Sequence, residues 1–259
     1  VNETETKVFQ QNQLTVKIYP TVQQMGKAAA QEVADRICNL LEGKAEINMI
    51  FAAAPSQEEF LHHLISDQRI SWNRINAFHM DEYIGVLPDA PQSFGNFLRI
   101  RIFDKVPFKN VYYLNGHATD LEEECTRYTS LLSQFPTDIV CLGIGENGHI
   151  AFNDPDVANF NDHKLVKIVK LDHVCRQQQV NEKCFETLEQ VPTEALTLTI
   201  PALLKAKWMF CIVPFKNKAQ AVYRTIHGDI SEKCPASILR RKEKSSLYLD
   251  TESAQLLNL

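Results

Sequence analysis

Two short segments of this sequence carry residues that can move protons. Asp81 and Glu82 are adjacent acidic residues, and His149 has Glu146 and Asp154 close to it in the chain. A neutral imidazole near pH 7 both gives and takes protons, and a carboxylate partner fixes which ring nitrogen carries the proton. These residue types predict a general acid–base site.

A cluster of glycines precedes the histidine. The chain has only 9 glycines in 259 residues, and three of them are Gly143, Gly145 and Gly148. Glycine lets a backbone turn sharply and approach a ligand closely, so we expect a tight loop that presents His149. The spacing GxGxxG also matches a dinucleotide fingerprint, but weakly, because Pro155 would stop the required helix almost as it began.

Other catalytic chemistries have less support in the sequence. The histidines that a zinc site would use, His62, His63, His79 and His149, show no HExxH or HxH spacing. A serine nucleophile needs a GxSxG elbow, and the sequence has none. We therefore expect no metal ion and no organic cofactor.

Composition excludes several functional classes. Hydrophobic residues make up 44% and charged residues 23% of the chain, which is typical of a globular protein. The formal net charge of −5 disfavours nucleic-acid binding, and no apolar stretch approaches the roughly 20 residues that cross a bilayer. Seven cysteines without a CxxC pair predict free thiols, and therefore a reducing, cytoplasmic location.

The elements that position these residues alternate between strand and helix. Short apolar runs predict buried strands at 47–53, 75–78, 111–114, 138–143, 166–171, 196–200, 208–213 and 247–249. Amphipathic periodicity predicts helices at 22–41, 57–65, 92–103, 121–135, 176–188 and 216–227. This alternation, without linkers or repeats, predicts one α/β domain over 1–259 with a doubly wound, mainly parallel sheet.

The polar segments follow predicted strands, where ligands bind on such sheets. Four strand ends are candidates, at 51–57, 79–83, 143–155 and 214–218. Arg176 and Lys218 begin predicted helices after strands, a position suited to an anion such as phosphate.

The longest of these motifs resemble one enzyme family. Residues 142–155 (LGIGENGHIAFNDP) and 76–85 (NAFHMDEYIG) are similar to signatures of the glucosamine-6-phosphate deaminases, also called isomerases. Shorter matches extend the resemblance over nearly the whole chain, at 92–94 (QSF), 113–116 (YLNG), 190–197 (QVPTEALT), 216–219 (KNKA) and 234–239 (CPASIL). The resemblance implies a Rossmann-like fold, with the sheet sandwiched by helices.

The resemblance also implies the reaction and the catalytic residues. An amino-sugar phosphate would be isomerised without a metal and would lose ammonia, giving fructose 6-phosphate. Asp81 would move a proton between C2 and C1, and His149 would protonate the ring oxygen. Asp154 occupies the family's Glu position that pairs with this histidine, and Asn147 a position that is Asp in some members.

Binding roles are implied in the same way. Arg176 and Lys218 match the residues that hold the sugar phosphate. Glu82 ranks lower because it points away from Asp81 in an extended segment. The expected substrate-binding residues are Ala53, Ala54, Ser56, Glu82, Gly145, Gly148, Arg176 and Lys218.

Two departures from the family pattern bear on these roles. Asp154 is one methylene shorter than Glu, so its reach to His149 requires a backbone adjustment or a water. Family members have a glycine-rich or Gly-Ser/Thr-Pro loop after the first strand, whereas residues 52–55 here are Ala-Ala-Ala-Pro. Alanine resists positive φ and brings no hydroxyl. Unless Ser56 and Gln57, at the start of the following helix, replace these missing phosphate contacts, phosphate binding is weaker or the substrate differs from that of the family.

We therefore expect an amino-sugar-phosphate deaminase that binds a small sugar phosphate and neither nucleic acid nor membrane. By resemblance it is a candidate homo-oligomer. A 6-phosphogluconolactonase or a related sugar-phosphate isomerase is the alternative within the same superfamily. A sugar-phosphate sensor without catalytic activity is the alternative from another class, and the altered alanine loop is the feature that favours it.

Overall fold

The computed structural model describes residues 6–258, so residues 1–5 and 259 of the domain expected over 1–259 lie outside the described residues. The chain there contains eleven strands: β1 (Lys7–Gln11), β2 (Leu14–Tyr19), β3 (Ile47–Phe51), β4 (Ile75–His79), β5 (Asp81–Tyr83), β6 (Asn110–Tyr112), β7 (Ile139–Leu142), β8 (Val166–Lys170), β9 (Glu194–Leu198), β10 (Trp208–Val213) and β11 (Ser245–Asp250). They form two sheets of different kinds.

The larger sheet is mainly parallel, as predicted. It has eight strands in the order β1-β2-β11-β10-β7-β3-β4-β6, and all neighbours are parallel except β1 and β2. Every residue of β3, β4 and β7 is buried. In β7, Val140 and Leu142 face one half of the core and Ile139 and Cys141 face the other. The central strands are covered on both faces, which explains why their sequences are mostly apolar.

Helices cover the sheet on both faces. They are α1 (Val22–Gly43), α2 (Glu58–Ile65), α3 (Phe94–Leu98), α4 (Leu121–Gln134), α5 (His173–Asn181), α6 (Ile200–Leu204) and α7 (Ala219–His227). Thr21 caps α1 by accepting from the Gln24 amide, and Asp120 caps α4 by accepting from the Glu123 amide. These caps satisfy amide groups that have no partner inside the helix. No helix among the described residues is long and apolar enough to cross a membrane.

The smaller sheet corrects part of the sequence prediction. The apolar runs at 166–171 and 196–200 form β8 and β9, which pair antiparallel with each other and with β5 instead of joining the parallel sheet. The sequence pattern does not reveal the strands β1, β2 and β5. In β2, buried and half-buried residues alternate, so this strand lacks the continuous apolar run that marks the others.

Several helix predictions also require correction. The predicted helix at 92–103 is α3 followed by a π-helical turn at Arg99–Phe103, and that at 216–227 begins as a 3₁₀ turn at Lys216–Lys218. The predicted helix at 176–188 is α5, which Asp172 caps by accepting from the Cys175 amide. Short elements with few turns, α6 and the 3₁₀ segment Pro235–Arg241, have too little periodicity to be recognised.

Candidate active site

A cleft opens at the carboxyl ends of β3, β4, β7 and β10, the edge where the sequence places the site. Segments that follow each of these strands contribute to its wall, and α5 closes one side. Its lining residues are Ala52, Ala53, Ala54, Ser56, Met80, Asp81, Phe94, Gly143, Ile144, Gly145, His149, Ala151, Phe152, Gln178, Gln179 and Lys218. The structure therefore brings Asp81, His149 and Lys218 to one cleft.

Asp81 is a buried carboxylate without a hydrogen-bond donor. It is 6% exposed, it lines the cleft, and no described residue donates a hydrogen bond to its carboxylate. Burial, and then the charge of Glu82, raise the pKa of Asp81 well above its usual value. A carboxylate that the protein leaves unsatisfied in a cleft has the free lone pairs of a general base.

His79 fixes the backbone of this carboxylate. Its Nδ1 lies 2.9 Å from the Asp81 carbonyl oxygen, and its Nε2 accepts from the Leu114 amide at 2.9 Å. The ring is therefore neutral, with the proton on Nδ1, and burial lowers the pKa of His79 to about 4. This histidine is structural and holds the start of β5 in place.

Glu82, an expected substrate-binding residue, lies outside the cleft lining. Successive side chains of a strand point to opposite faces, so Glu82 of β5 points away from Asp81. Its carboxylate accepts from the Ser93 hydroxyl and from the amides of Phe94 and Gly95 at 2.8–3.0 Å, and so satisfies the start of α3. It lines a separate cavity of about 240 Å³.

The glycine loop presents His149, as predicted. The Gly145 amide donates to the His149 carbonyl at 3.0 Å, and a Cβ added to Gly145 would lie 2.1 Å from Cε1 of the imidazole. The ring therefore lies directly on the Gly145 backbone. Gly148, an expected substrate-binding residue, has φ +92° and packs against Cys234 outside the cleft lining, where it turns the loop.

We predict that Gly145→Ala lowers kcat/KM by about 100-fold, because the new methyl group must displace the imidazole ring of His149. Steady-state turnover of the amino-sugar phosphate that the motif resemblance implies as substrate measures the effect. The matched control is Gly43→Ala, since a Cβ added at Gly43 meets no atom within 4 Å. If Gly145→Ala retains more than about a third of the control's kcat/KM, the close packing of ring on backbone has no catalytic importance.

Asp154 is the acidic partner of His149. Its Oδ1 lies 3.0 Å from Nδ1 of the imidazole, close enough for an ion pair although the Nδ1–H is not aligned for a hydrogen bond. The tight turn at residues 150–153, in which Ala151 has φ 49°, returns the chain beneath the ring. The shorter Asp154 therefore needs no bridging water. Nδ1 faces Asp154, which leaves Nε2 for a ligand.

Asn147, an expected catalytic residue, supports this pair from outside the cleft lining. Its Nδ2 donates to Oδ1 of Asp154 at 2.9 Å and to Oδ2 of Asp172 at 2.7 Å, and its Oδ1 accepts from the His149 amide. Burial alone would raise the pKa of Asp154, but the charge and proximity of His149, with the donors from Asn147 and the Asp172 backbone, lower it. Asp154 therefore stays ionised beside the imidazole.

One group of described residues has the donor atoms for a metal ion. His149, Asp154 and Cys175 each offer one ligand atom, all within 4.8 Å of one another, and all three residues are buried. Both carboxylate oxygens of Asp154 already accept hydrogen bonds, from Asn147 and from the Asp172 amide. We therefore interpret Asp154 as a residue that holds the imidazole of His149 in place, and not as a metal ligand.

Of the residues expected to bind phosphate, the structure places only some in the cleft. Ala53, Ala54, Ser56 and Lys218 line it. The side chain of Arg176 instead donates to the carbonyls of Leu188 and Val191, outside the cleft lining. Its expected binding role is therefore not supported by its position.

Sequence reasoning misses the two glutamines of the cleft. Gln178 and Gln179 lie on α5 and are 5% and 6% exposed. A glutamine in an amphipathic helix has no distinctive signal, and the helix predicted from residue 176 begins at His173. Asp172, which accepts a hydrogen bond from Asn147, is also missed, because the helix is predicted to begin at residue 176 and not at His173. An Asp directly before a helix is a recognisable cap and could have revealed it.

The sequence of this chain is similar to known enzymes over most of its length. The family model of the glucosamine-6-phosphate isomerases/6-phosphogluconolactonases matches residues 20–248. A glucosamine-6-phosphate deaminase of Listeria innocua is 36% identical over 212 residues, which cover 82% of this chain and 88% of that protein. A Bacillus cereus protein of the same name is 39% identical over 188 residues, 73% of this chain and 70% of its own.

Solved structures show the same fold. A monomeric glucosamine-6-phosphate deaminase superposes with a TM-score of 0.85 at 32% identity and covers 93% of this chain and 99% of its own. A 6-phosphogluconolactonase from Thermotoga maritima has a TM-score of 0.75 at 21% identity, covering 92% of this chain and 99% of its own, and supports the fold alone. The resemblance read from the motifs is confirmed: the chain belongs to the glucosamine-6-phosphate isomerase/6-phosphogluconolactonase family.

Proposed function

We propose that this protein is an amino-sugar-phosphate deaminase that converts glucosamine 6-phosphate to fructose 6-phosphate and ammonia. The observation that carries the proposal is the unsatisfied carboxylate of Asp81 in the same cleft as His149. The deaminases among the relatives of this chain are named for this substrate, and they match it over most of its length.

In the proposed reaction, His149 first delivers a proton to the ring oxygen of the sugar while the C1 hydroxyl loses its proton to water, which frees the C1 aldehyde. Asp81 then removes the proton from C2, and the electron pair passes to the aldehyde oxygen, which takes a proton from water to give an enolamine. Return of the proton to C1 gives an imine at C2. Water hydrolyses this imine, which leaves the ketone of the product and releases ammonia.

The surroundings of Asp81 suit a general base, and those of His149 suit a general acid. A proton on a carbon next to an aldehyde and an amine is weakly acidic, so its removal requires a strong base. Burial raises the pKa of Asp81, which makes the carboxylate a stronger base than one in water. Oδ1 of the ionised Asp154 lies 3.0 Å from Nδ1 of His149, which leaves Nε2 of the imidazole for the sugar.

One assay tests the proposal against its alternatives. The protein is incubated separately with glucosamine 6-phosphate, galactosamine 6-phosphate and 6-phosphogluconolactone, and ammonia, ketose and lactone hydrolysis are measured. We expect ammonia and ketose in equal amounts from an amino-sugar phosphate. Lactone hydrolysis without ammonia would replace the proposal with a lactonase, and binding without turnover would replace it with a sensor.

We also propose that the protein works on its small-molecule substrate in the cytoplasm. All seven cysteines are free thiols, and five of them are buried. Free thiols persist in a reducing compartment, whereas oxidising compartments favour disulfides.

A further inference from the structure

The side-chain amide of Asn147 bridges two carboxylates close to His149. Its Nδ2 donates to Oδ1 of Asp154 at 2.9 Å and to Oδ2 of Asp172 at 2.7 Å, and Asn147 is 8% exposed. A primary amide nitrogen carries two hydrogens, so these two contacts use both of its donors. Asp172 is therefore as direct a partner of this amide as Asp154, the residue that faces the imidazole.

The two carboxylates also fix which way the amide faces. Oδ1 of Asn147 accepts from the His149 amide at 3.0 Å. If the side-chain amide turned over, its oxygen would face both carboxylates and its NH2 group would face another N–H donor. Without Asp172, one buried N–H of Asn147 would lose its acceptor, and a buried donor without a partner is costly.

Asp172 joins this amide to Asp154 and to the start of α5. Its backbone amide donates to Oδ2 of Asp154 at 3.1 Å, and its Oδ1 accepts from the Cys175 amide at 2.6 Å and so caps the helix. The two oxygens of this carboxylate therefore have separate tasks: Oδ1 begins the helix, and Oδ2 holds Asn147.

The loop that presents His149 has a second contact with α5. Oε1 of Gln178 accepts from the Glu146 amide at 2.9 Å, so the helix holds this loop at two points, through Asn147 and through Glu146. Asp172 itself is outside the cleft lining. It can therefore act on the reaction only through the residues that it holds.

We propose that Asp172 is a positioning residue for His149: through Asn147 it keeps Asp154 and the imidazole in the arrangement that leaves Nε2 for the sugar. The inference rests on the proposed function, in which His149 supplies a proton. A displacement of about 1 Å at a reacting group lowers the rate by up to about 100-fold. Because Asp172 does not touch the sugar, its loss lowers kcat and leaves KM nearly unchanged.

The variant Asp172→Ser separates the two tasks of this side chain. The serine hydroxyl still caps α5, but serine has no second oxygen for Asn147. We expect kcat for ammonia release from glucosamine 6-phosphate to fall by about 10- to 30-fold, with KM within about 2-fold of the wild type. The control is Asp120→Ser, because Asp120 caps α4 in the same way, by accepting from the Glu123 amide at 2.9 Å, and is outside the cleft lining.

The outcomes separate this inference from the deaminase proposal. A kcat of Asp172→Ser within about 2-fold of the control overturns the inference and leaves the deaminase proposal intact. A loss of kcat/KM that lies wholly in KM also overturns it, because it would assign Asp172 to substrate binding. If the wild-type chain releases no ammonia, the deaminase proposal fails and this inference fails with it.

A second background shows whether the effect passes through Asn147. In Asn147→Ala the bridge is already absent, so we expect the addition of Asp172→Ser to lower kcat by less than about 2-fold. A role confined to the start of α5 would lower kcat by the same factor in both backgrounds, and that result overturns the inference. Asp172→Thr, which also has a capping hydroxyl, repeats the comparison with a second side chain, and circular dichroism measures the helix content of each variant.

Discussion

Asp81→Asn is expected to lower kcat by about 10⁴-fold while leaving the affinity for the substrate nearly unchanged. Asparagine keeps the size of the side chain but has no lone pair basic enough to take the C2 proton. The carboxylate has no hydrogen-bond donor among the described residues, so the substitution breaks no contact. Steady-state ammonia release measures kcat, and binding of a competitive inhibitor measures affinity.

The same substitution is expected to stabilise the protein. Because the pKa of Asp81 is raised in the folded state, the wild-type protein loses stability as pH rises from about 4 through the raised pKa. The asparagine side chain does not ionise. The variant is therefore more stable than the wild type above the raised pKa of Asp81, and the two are equally stable near pH 4. We expect a Tm higher by about 2–4 °C at pH 8 and an equal Tm near pH 4.

Asp89→Asn is the control, because Asp89 is exposed in the same stretch of chain and outside the cleft lining. A kcat of Asp81→Asn within about 10-fold of this control would remove Asp81 from the reaction. The raised pKa also places the acid limb of the wild-type kcat/KM profile above the pH at which an ordinary carboxyl group titrates, because only the ionised carboxylate accepts the proton.

The second large effect is expected at His149. His149→Gln removes the ring that lies on Gly145 and lowers kcat by about 10²- to 10⁴-fold, because the sugar ring oxygen loses its proton donor. Ammonia release again measures the rate, and circular dichroism checks the fold. The effect is smaller than that of Asp81→Asn, since a fraction of the sugar opens without the enzyme.

His173→Gln is the matched control for this variant. His173 is exposed at the start of α5, next to Asp172. If the kcat of His149→Gln stays within about 3-fold of this control, ring opening does not depend on the imidazole. A circular dichroism spectrum with equal helix content in the two variants excludes misfolding as the cause of a loss.

Much of this architecture could be predicted from local pattern. Central strands such as β3 and β7 are buried on both faces, and that burial leaves short, mostly apolar runs in the sequence. Since parallel strands end at a common edge, the acidic pair and the glycine loop could be assigned to one site before the structure was known. Asp81 and His149 do line the same cleft.

The wall of the cleft formed by α5 could not be predicted, because it depends on how this helix faces its neighbours. Arg176 and Gln178 are two residues apart on α5, which turns their side chains about 200° from each other around the helix axis. The direction in which the helix packs decides which one meets the cleft, and that is a non-local property. The glutamine faces the cleft and the arginine binds carbonyls of the following segment.

The three-residue strand β5 decides which of two adjacent acids faces the cleft. Asp81 pairs with Thr197 and Glu82 with Leu196, and this alignment alone sends one carboxylate to the cleft and the other to α3. A slip of one residue would exchange their positions. We therefore expect that deleting one residue just before this strand would give a folded protein without activity, in which Glu82, with its longer side chain, faces the cleft in place of Asp81. The alignment of β5 with β9 therefore determines which acidic side chain a ligand in the cleft would meet.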